Sequence, residues 1–259
     1  MKVEENAMKR KLNIWIVGGD MRQGKLAEQL LEEEHTVHMY ALERFDSSAD
    51  IITEWDLDGL YLADCVIFPL PATGEGSLLN APLSDRRQPM AGILDLLQPE
   101  QMICAGMVGE ELTAMAEDRG LSIHDYFRRE EMAVANAVPT VEGALQIAME
   151  ELPITLHEAR ALVIGYGRVG KLMAHRLAAL GARVSVAARK YSDLAWIEAY
   201  GYGVEHSDQL EGWLCAYDLV INTVPARVLD QDALEDLRAG CLVIDLASKP
   251  GGVGVGIGQ

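Results

Sequence analysis

Residues 160–190 read RALVIGYGRVGKLMAHRLAALGARVSVAARK, and this stretch decides the fold of the chain. Residues 161–164 are an apolar run, followed by Gly165, Gly167 and Gly170 at the G-x-G-x-x-G spacing of a dinucleotide-binding loop. In such a loop the first glycine permits a tight turn, the second lets the backbone approach a pyrophosphate, and the third lets helix and strand pack closely. The stretch therefore predicts a strand, a turn and a helix whose N-terminus faces an anion.

The residues after the loop complete this unit. Apolar side chains recur at helical spacing, at Val169, Leu172, Met173, Leu177 and Leu180. Gly181 stands where a left-handed C-terminal cap is expected, and residues 183–187 predict a second, buried parallel strand. The expected contacts of the loop with a dinucleotide come from Gly165, Gly167, Arg168, Val169 and Gly170.

The end of the second strand discriminates between two dinucleotides. A site for NAD usually carries Asp or Glu there, about twenty residues beyond the glycines, to bind the ribose 2′-hydroxyl. Here Ala187 and Ala188 are followed by Arg189 and Lys190. Two cations without an acid favour the 2′-phosphate of NADP, with Arg189 as a bidentate clamp and Lys190 as a second charge. A solvated basic pair after a strand is the alternative interpretation.

Composition excludes several classes of protein. With 22 Lys and Arg against 40 Asp and Glu, the formal net charge is −18, which argues against nucleic acid or an anionic membrane as a partner. The 259 residues suffice for two domains. The four cysteines show no C-x-x-C spacing, so neither a metal site nor a disulfide framework is expected. No apolar run approaches the about 18 residues of a membrane span, and a cytoplasmic protein is expected.

The first half of the chain alternates strands and helices. Apolar runs predict five strands, at residues 12–17, 36–40, 65–70, 102–105 and 121–124, with helices at residues 26–33, 90–97 and 108–119. The predicted class is α/β with two open parallel-sheet domains, a flavodoxin-like N-terminal domain and a Rossmann NAD(P)-binding domain. We place the domains at residues 1–138 and 139–259.

Two segments that follow strands in the first half carry candidate ligand groups. The turn after the first strand lacks dinucleotide spacing, so we expect it to hold Asp20 and Arg22 at a cleft, the alternative being a plain strand-to-helix connection. Residues 72–89 are a long loop without predicted structure, and such loops are usually functional or disordered. This loop offers a hydroxyl, a carboxylate and backbone donors at Thr73, Gly74, Glu75 and Gly76.

The second half adds further elements around the Rossmann unit. Thr140, directly after Pro139, is the expected N-cap of an interdomain helix over residues 136–151, with Pro139 as a hinge. Beyond residue 190, helices are predicted at residues 192–200 and 207–216 and strands at residues 203–206, 219–223 and 241–246. A nicotinamide ribose would lie at the C-terminal end of the strand over residues 219–223. The expected cofactor contacts there are Asn222, Thr223, Val224 and Pro225.

Six motifs in order carry a resemblance to a known family. They are GGDMRQ (18–23), ATGEG (72–76), NAVPTVEG (136–143), GYGRVG (165–170), INTVP (221–225) and DLASKPGG (245–252). Together, over about residues 12–252, they resemble the dipicolinate synthase A-subunit family. More distantly, the two-domain plan is similar to alanine dehydrogenase and 2-hydroxy-acid dehydrogenases.

The resemblance implies a reaction and a setting. It implies NADP-dependent oxidation of a dihydrodipicolinate-type precursor, made from a lysine-pathway intermediate, to pyridine-2,6-dicarboxylate in the mother cell of a sporulating bacterium. A flavoprotein-like partner subunit is implied, and a homo-oligomer is expected. The family continues past the PGG motif with a further strand and a long helix, which this sequence lacks.

The implied chemistry assigns roles to the candidate residues. A small dicarboxylate substrate needs cations, for which Arg22 is the first choice and Lys249 or Arg227 the second. The other candidate substrate contacts are Thr73, Gly74, Gly76 and Thr140. The candidate general bases, unranked, are Glu75, Asp20 and Glu142. Because the ligand loops leave strand C-termini, the substrate is expected between the two domains.

Two alternatives stay open. The first is another NAD(P)-dependent dehydrogenase of the alanine or 2-hydroxy-acid type. Hydroxy-acid enzymes need an imidazole paired with a carboxylate late in the second domain, and after Gly165 the sequence has only His175 and His206. The second alternative is a non-catalytic NADP-binding subunit that supports a partner.

Overall fold

A computed structural model describes residues 10–47, 50–247 and 251–252 of the chain. The chain forms two compact units that divide between Met132 and Ala133, and each is built on its own open parallel sheet. This architecture confirms the predicted α/β class. None of the helices in the described residues combines the length and the apolar character needed to cross a membrane.

The first unit alternates strands with helices. Its strands in the described residues are β1 (Asn13–Val17), β2 (Thr36–Tyr40), β3 (Ile52–Glu54), β4 (Cys65–Ile67), β5 (Met102–Ala105) and β6 (Ile123–Asp125). Its α-helices there are α1 (Met21–Glu32), α2 (Met90–Leu94) and α3 (Glu110–Glu117). Side chains of the central strands are fully buried, among them Ile16, Val17, Val66 and Ile103, as expected for a parallel sheet covered on both faces.

The strand order of this sheet is β3-β2-β1-β4-β5-β6, with parallel pairing throughout. The five predicted strands correspond to β1, β2, β4, β5 and β6, whose order matches a flavodoxin-like sheet. The prediction of five strands is nevertheless wrong by one, because β3 pairs with β2 at the edge, His38 beside Ile52. Two of its three residues are exposed, so no apolar alternation marks this strand in the sequence.

Helix α1 begins at Met21 rather than at residue 26, so its predicted start is wrong. Asp20 caps the helix, and Gln23 closes a capping box by accepting the Asp20 amide through Oε1 at 3.1 Å. Gly24 does not interrupt the helix. It is buried, and a Cβ there would overlap the ring of Phe45, so this glycine allows the helix to pack closely.

Helix α4 (Glu130–Glu151) corrects the predicted helix start at residue 136. It runs through Pro139, so Thr140 is not its N-cap: the Thr140 hydroxyl donates to the carbonyl of Asn136 at 3.3 Å, inside the helix. Glu130 and Glu131 occupy the first turn, where acids are favoured. The buried residues Ala133, Ala137, Val141 and Ala144 already show helical spacing across the proline.

The second unit follows the Rossmann order. Its strands in the described residues are β7 (Arg160–Ile164), β8 (Arg183–Ala188), β9 (Gly203–His206), β10 (Leu219–Asn222) and β11 (Leu242–Asp245). Besides α4, its α-helices there are α5 (Arg168–Ala179), α6 (Tyr191–Ala199) and α7 (Gln231–Glu235). The sheet order is β11-β10-β7-β8-β9, all parallel, with β7 at the centre.

The unit of residues 160–190 forms as predicted. Met173 and Leu177 of α5 are fully buried against the sheet, and Gly181 caps the helix with a φ of 85°. The predicted helix over residues 207–216 is wrong, because this segment forms turns and a short 3-10 helix at Leu214–Ala216. Gly212 has a φ of 78° within it, a left-handed conformation that ends regular helix.

Candidate dinucleotide and substrate sites

The three glycines after β7 occupy three different environments. Gly165 has a φ of 102°, and a Cβ there would overlap the hydroxyl of Thr223. A Cβ on Gly170 would overlap the carbonyl oxygen of Gly165, so the start of α5 packs against the end of β7 without room for a side chain. Gly167, the N-cap of α5, faces open space. The backbone is therefore accessible at the helix N-terminus, where anions bind.

A cavity of about 630 Å³ opens beside this loop. It lies at the C-terminal ends of β7, β8 and β10, the edge of an open α/β sheet that binds ligands. Of the predicted cofactor contacts, the cavity is lined by Gly165, Gly167, Arg189, Lys190 and Val224. Arg168 is exposed at the start of α5, and Val169 packs on the core of the unit.

The cavity is rich in cationic side chains. Arg189 and Lys190 follow β8 and are exposed, and in the described part of the chain neither has a carboxylate partner. The cavity is also lined by Lys171, Arg227, Asp193 and Asp208. Four cations thus face two carboxylates in a chain whose net charge is −18. This local reversal of sign suits a ligand with several negative charges.

Ser207 is a cavity residue that the sequence reasoning missed. Its hydroxyl oxygen is buried and has no hydrogen-bond partner among the described residues. An unpaired buried hydroxyl is costly, and a ligand oxygen in the cavity would satisfy it. Ser207 directly follows β9, and this place beyond a strand C-terminus is the signal that could have identified it.

Asn222, predicted to contact the cofactor, is fully buried at the end of β10. Its amide nitrogen donates to the carbonyl of Val224 at 3.0 Å and to Oδ1 of Asp245 at 2.8 Å. Its oxygen accepts the Val224 amide at 3.1 Å. Both amide hydrogens are therefore used within the protein, so this side chain shapes the loop after β10.

Thr223 and Pro225 flank Val224 on the same loop. The Thr223 hydroxyl donates to the carbonyl of Ile164 at 2.9 Å, and the Thr223 amide donates to the same carbonyl. Thr223 thus joins the ends of β10 and β7 beneath the glycine loop. Pro225 is exposed. Lys249, a candidate substrate contact, lies outside the described residues.

The predicted substrate groups Asp20 and Arg22 lie together at the end of β1. The Asp20 carboxylate accepts the Arg22 amide at 2.9 Å, Nε at 3.0 Å and Nη2 at 2.9 Å. These hydrogen bonds hold the pKa of Asp20 below its ordinary value, against a smaller effect of burial. Arg22 also donates from Nη2 to the carbonyl of Leu70 at 2.7 Å, which fixes the guanidinium beside the end of β4.

Tyr126 and Asn80 border this position and were not predicted. The Tyr126 hydroxyl donates to the carbonyl of Phe68 at 3.1 Å, and burial raises the pKa of Tyr126 to about 12 against the opposing charge of Arg22. Tyr126 is therefore a neutral donor near pH 7. The side-chain amide of Asn80 donates to the carbonyl of Pro71 at 2.9 Å, and the main-chain carbonyl of Asn80 accepts the Gly19 amide at 2.9 Å. The loop after β4 is thus tied to the turn after β1.

The predicted ligand loop over residues 72–89 is ordered by its own contacts. Thr73 pairs with Leu79, and the Gly74 amide donates to the carbonyl of Leu78 at 2.9 Å. Glu75 is exposed in a short 3-10 turn. Gly74 and Gly76 face open space, and Gly76 has a φ of 66°. The loop therefore exposes its backbone at Gly74 and Gly76.

Glu142 and Thr140 occupy the exposed face of α4. The Glu142 carboxylate lies 3.8 Å from Nη1 of Arg176 on α5 and is 57% exposed.

Within the described residues, no cluster of three or more His, Cys, Asp or Glu side chains is arranged to hold a metal ion.

Two family models match the chain. The N-terminal domain of the dipicolinate synthase A subunit matches residues 13–127. The D-isomer specific 2-hydroxyacid dehydrogenase, NAD binding domain, matches residues 137–248. The second unit is thus a dehydrogenase-type NAD-binding domain, and the glycine loop and cavity lie within it.

Individual relatives span most of the chain. The dipicolinate synthase A subunit of Bacillus subtilis (strain 168) is 31% identical over 244 residues, covering 93% of this chain and 82% of the relative. The crystal structure of the dipicolinate synthase A chain from Bacillus subtilis has a TM-score of 0.82 at 30% identity, covering 96% of this chain and 84% of that one. The crystal structure of the corresponding protein from Bacillus halodurans has a TM-score of 0.84 at 27% identity, covering 94% and 86%. The chain therefore belongs to the dipicolinate synthase A-subunit family.

Proposed function

We propose that this chain is an NADP-dependent dehydrogenase that oxidises a dihydrodipicolinate-type dicarboxylate to pyridine-2,6-dicarboxylate. Membership of the dipicolinate synthase A-subunit family supports the substrate class, because the name of the relatives specifies dipicolinate. The main structural support for a dehydrogenase is the cation-lined cavity beside the accessible Gly167 backbone. A bound nicotinamide would accept a hydride from the ring carbon of the substrate.

The choice of NADP rests on the end of β8. A 2′-phosphate adds about 1.5 to 2 negative charges, by analogy with other phosphate monoesters, and three acceptor oxygens. Among the described residues, Arg189 and Lys190 offer cations there without a carboxylate partner, and Ser207 offers an unpaired hydroxyl. An NAD-specific site would place a carboxylate at this strand end, where Ala188 stands.

The substrate contact we propose is Arg22, supported by its hydrogen bonds. Asp20 and the Leu70 carbonyl hold the guanidinium at the strand edge, and its side chain remains 49% exposed. A fixed, accessible cation suits a substrate carboxylate, because a charge-assisted hydrogen bond contributes about 1.5 to 3 kcal/mol. Thr73, Gly74 and Gly76 of the neighbouring loop complete the proposed contact surface.

Glu75 is the general base that we propose among the three candidates. Asp20 is committed to the helix cap and to Arg22, and its lowered pKa makes it a weaker base. Glu142 pairs with Arg176 on the surface of the second unit. Glu75 is an exposed residue of the loop after β4, between Gly74 and Gly76 of the proposed substrate surface.

The proposed setting follows from the family. We propose that the chain works with a flavoprotein-like partner subunit, assembles as a homo-oligomer, and acts in the cytoplasm of the mother cell during sporulation. The lysine pathway would supply its substrate. A 2-hydroxy-acid dehydrogenase is less well supported. Such an enzyme needs an imidazole paired with a carboxylate, and His206, which lies 3.9 Å from Asp208, stands at the end of the edge strand β9.

A thermal-shift series with NADP, NAD and pyridine-2,6-dicarboxylate tests the ligand classes. A dinucleotide at about 100 times its Kd stabilises a protein by about 2.7 kcal/mol, which corresponds to roughly 5 to 10 °C at this chain length. We expect this shift with NADP and a smaller one with NAD at equal concentration. Equal shifts for NAD and NADP would contradict the cofactor assignment, and no shift with either would contradict the dinucleotide site.

A further inference from the structure

A second cavity of about 350 Å³ lies between helices α5 and α6, beside the dinucleotide cavity. We call this cavity the aromatic pocket. Its lining residues are Tyr166, Lys171, His175, Trp196, Tyr200 and Tyr202. Lys171 and His175 are four residues apart on α5, and Tyr200, the C-cap of α6, follows Trp196 of that helix by four residues. Each pair therefore lies on one face of its helix, and the two faces border the same space.

Three neighbouring aromatic rings form one wall of the pocket. The rings of Trp196 and Tyr200 have centroids 5.8 Å apart and planes at 27°, and Tyr202 continues the row at 6.4 Å from Tyr200. Trp196 is 60% exposed and Tyr200 is 64% exposed. Large exposed rings contribute most when they are covered, and a planar aromatic ring can stack against the face of Trp196 or Tyr200.

The polar groups of the pocket favour an anion. The Lys171 ammonium lies 5.1 Å from the centroid of the Tyr166 ring, and within the described residues no carboxylate pairs with it. Burial, followed by the nearby phenols of Tyr200 and Tyr202 and the carboxylate of Asp193, raises the pKa of Tyr166. Tyr166, Tyr200 and Tyr202 all line the same cavity. Asp193 is the acid that faces this group, on the side of the dinucleotide cavity.

We propose that the aromatic pocket binds a planar aromatic carboxylate, with its ring against Trp196 and Tyr200 and its carboxylate toward Lys171. Cation and ring together select this class: an aliphatic acid would leave the ring wall uncovered, and an uncharged ring would leave Lys171 without a counter-charge. Tyr166 and Lys171 also line the dinucleotide cavity, so the ligand would lie next to a bound dinucleotide.

The probe is pyridine-2,6-dicarboxylate, added to the full chain without dinucleotide and followed by calorimetry and tryptophan fluorescence. The choice of this molecule rests on the proposed function, whose product it is. We expect saturable binding that Trp196→Ala and Lys171→Gln each weaken roughly tenfold or more. Trp213→Ala is the matched control, because Trp213 is 61% exposed and lies outside the pocket. It should bind as the parent does, and glutarate, which lacks a ring, should bind at least as weakly as the variants.

Several results would overturn the proposal. They are the absence of saturable binding, unchanged binding by Trp196→Ala, or a loss confined to Arg22→Ala or Arg189→Ala, which would place the probe in the substrate or dinucleotide site. Circular dichroism checks each variant, and Tyr200→Ala replaces Trp196→Ala if that variant unfolds. Pocket-dependent binding without turnover would contradict the proposed function alone, and turnover without such binding would contradict the pocket alone.

Discussion

The side-chain amide of Asn222 donates to Oδ1 of Asp245 at 2.8 Å, and the two residues are register partners at the ends of β10 and β11. Oδ2 of the same carboxylate accepts the Gly252 amide at 2.9 Å. A Cβ on Gly252 would overlap the Asn222 amide, so Gly252 lies directly against this side chain. The pair therefore holds Val224 and Gly252 at the sheet edge that carries the dinucleotide cavity.

Asn222→Ala should lower stability and dinucleotide affinity together. The substitution removes the hydrogen bonds of the Asn222 side chain with the amide and carbonyl of Val224 and with the Asp245 carboxylate, and such bonds contribute about 0.5 to 1.5 kcal/mol each, or about 1.5 to 3 kcal/mol with a charged partner. Because Val224 lines the cavity, displacement of its loop should also weaken binding. Urea unfolding and NADP titration measure the two effects. Thr155→Ala, an exposed change in the same unit, is the control, and a stable variant with normal affinity would contradict this role for Asn222.

Gly167→Val should abolish dinucleotide binding while the chain stays folded. The added Cβ would point into open space that the pyrophosphate needs, with no protein atom within 4 Å. Gly170→Val is the contrasting variant, because its side chain would overlap the Gly165 carbonyl and should destabilise the unit. Thermal unfolding with and without NADP separates the two. Normal NADP binding by Gly167→Val would remove the loop from the binding site.

Arg189→Ala should weaken NADP and leave NAD unchanged. Loss of a charge-assisted pair with the 2′-phosphate costs about 1.5 to 3 kcal/mol, roughly ten- to a hundredfold in Kd. Calorimetric titration with both cofactors measures the difference. Arg183→Ala, which removes an exposed arginine paired with Glu158 at the start of β8, is the matched control. An equal loss for both cofactors would contradict the clamp.

Arg22→Ala should raise the KM for the dicarboxylate roughly tenfold or more, because the cation that we propose for a substrate carboxylate is removed. The Kd of NADP should not change. Lys25→Ala removes a cation from the exposed side of the same helix, where it pairs with Glu28, and should leave both constants as in the parent. A loss of NADP affinity equal to the rise in KM, or no effect on either, would exclude Arg22 as the substrate contact.

The Asp20 and Arg22 pair should make stability depend on pH in acid. The pKa of Asp20 is lowered in the folded chain from its ordinary 3.8, so its contribution is present above that value and is lost as pH falls through the folded pKa. Asp20→Asn should therefore unfold with a shallower pH dependence below about pH 4. Chemical unfolding across this range measures the slope, and an unchanged slope would show that the pair contributes nothing there.

The glycine loop and its flanking strands are predictable because local constraints decide them. Gly165, Gly167 and Gly170 each meet a backbone requirement that their spacing already encodes. The edge strand β3 and the start of α4 are harder to predict. Strand β3 has exposed residues, and Pro139 suggests a helix start although the helix continues through it. Buried helical spacing from Ala133 onward outweighs that local signal.

The side chains that complete the candidate sites depend on tertiary contacts. The contact of Tyr126 with the Phe68 carbonyl joins segments far apart in sequence, and the hydroxyl of Ser207 is buried only by the packing of the folded unit. Asn222 shows the converse: its position at a strand end predicts a ligand contact, but Asp245 and Val224 take its amide. Position at a strand C-terminus is thus predictable, whereas the partner of each side chain is not.

The most direct test of the account is turnover by the purified chain alone. A dihydrodipicolinate-type substrate, generated in the cuvette, is supplied with NADP, and both NADPH and pyridine-2,6-dicarboxylate are quantified. We expect the two to appear in equal amounts, faster with NADP than with NAD, and Gly167→Val to form neither. Binding of NADP without any product would contradict the claim that this chain is itself the dehydrogenase.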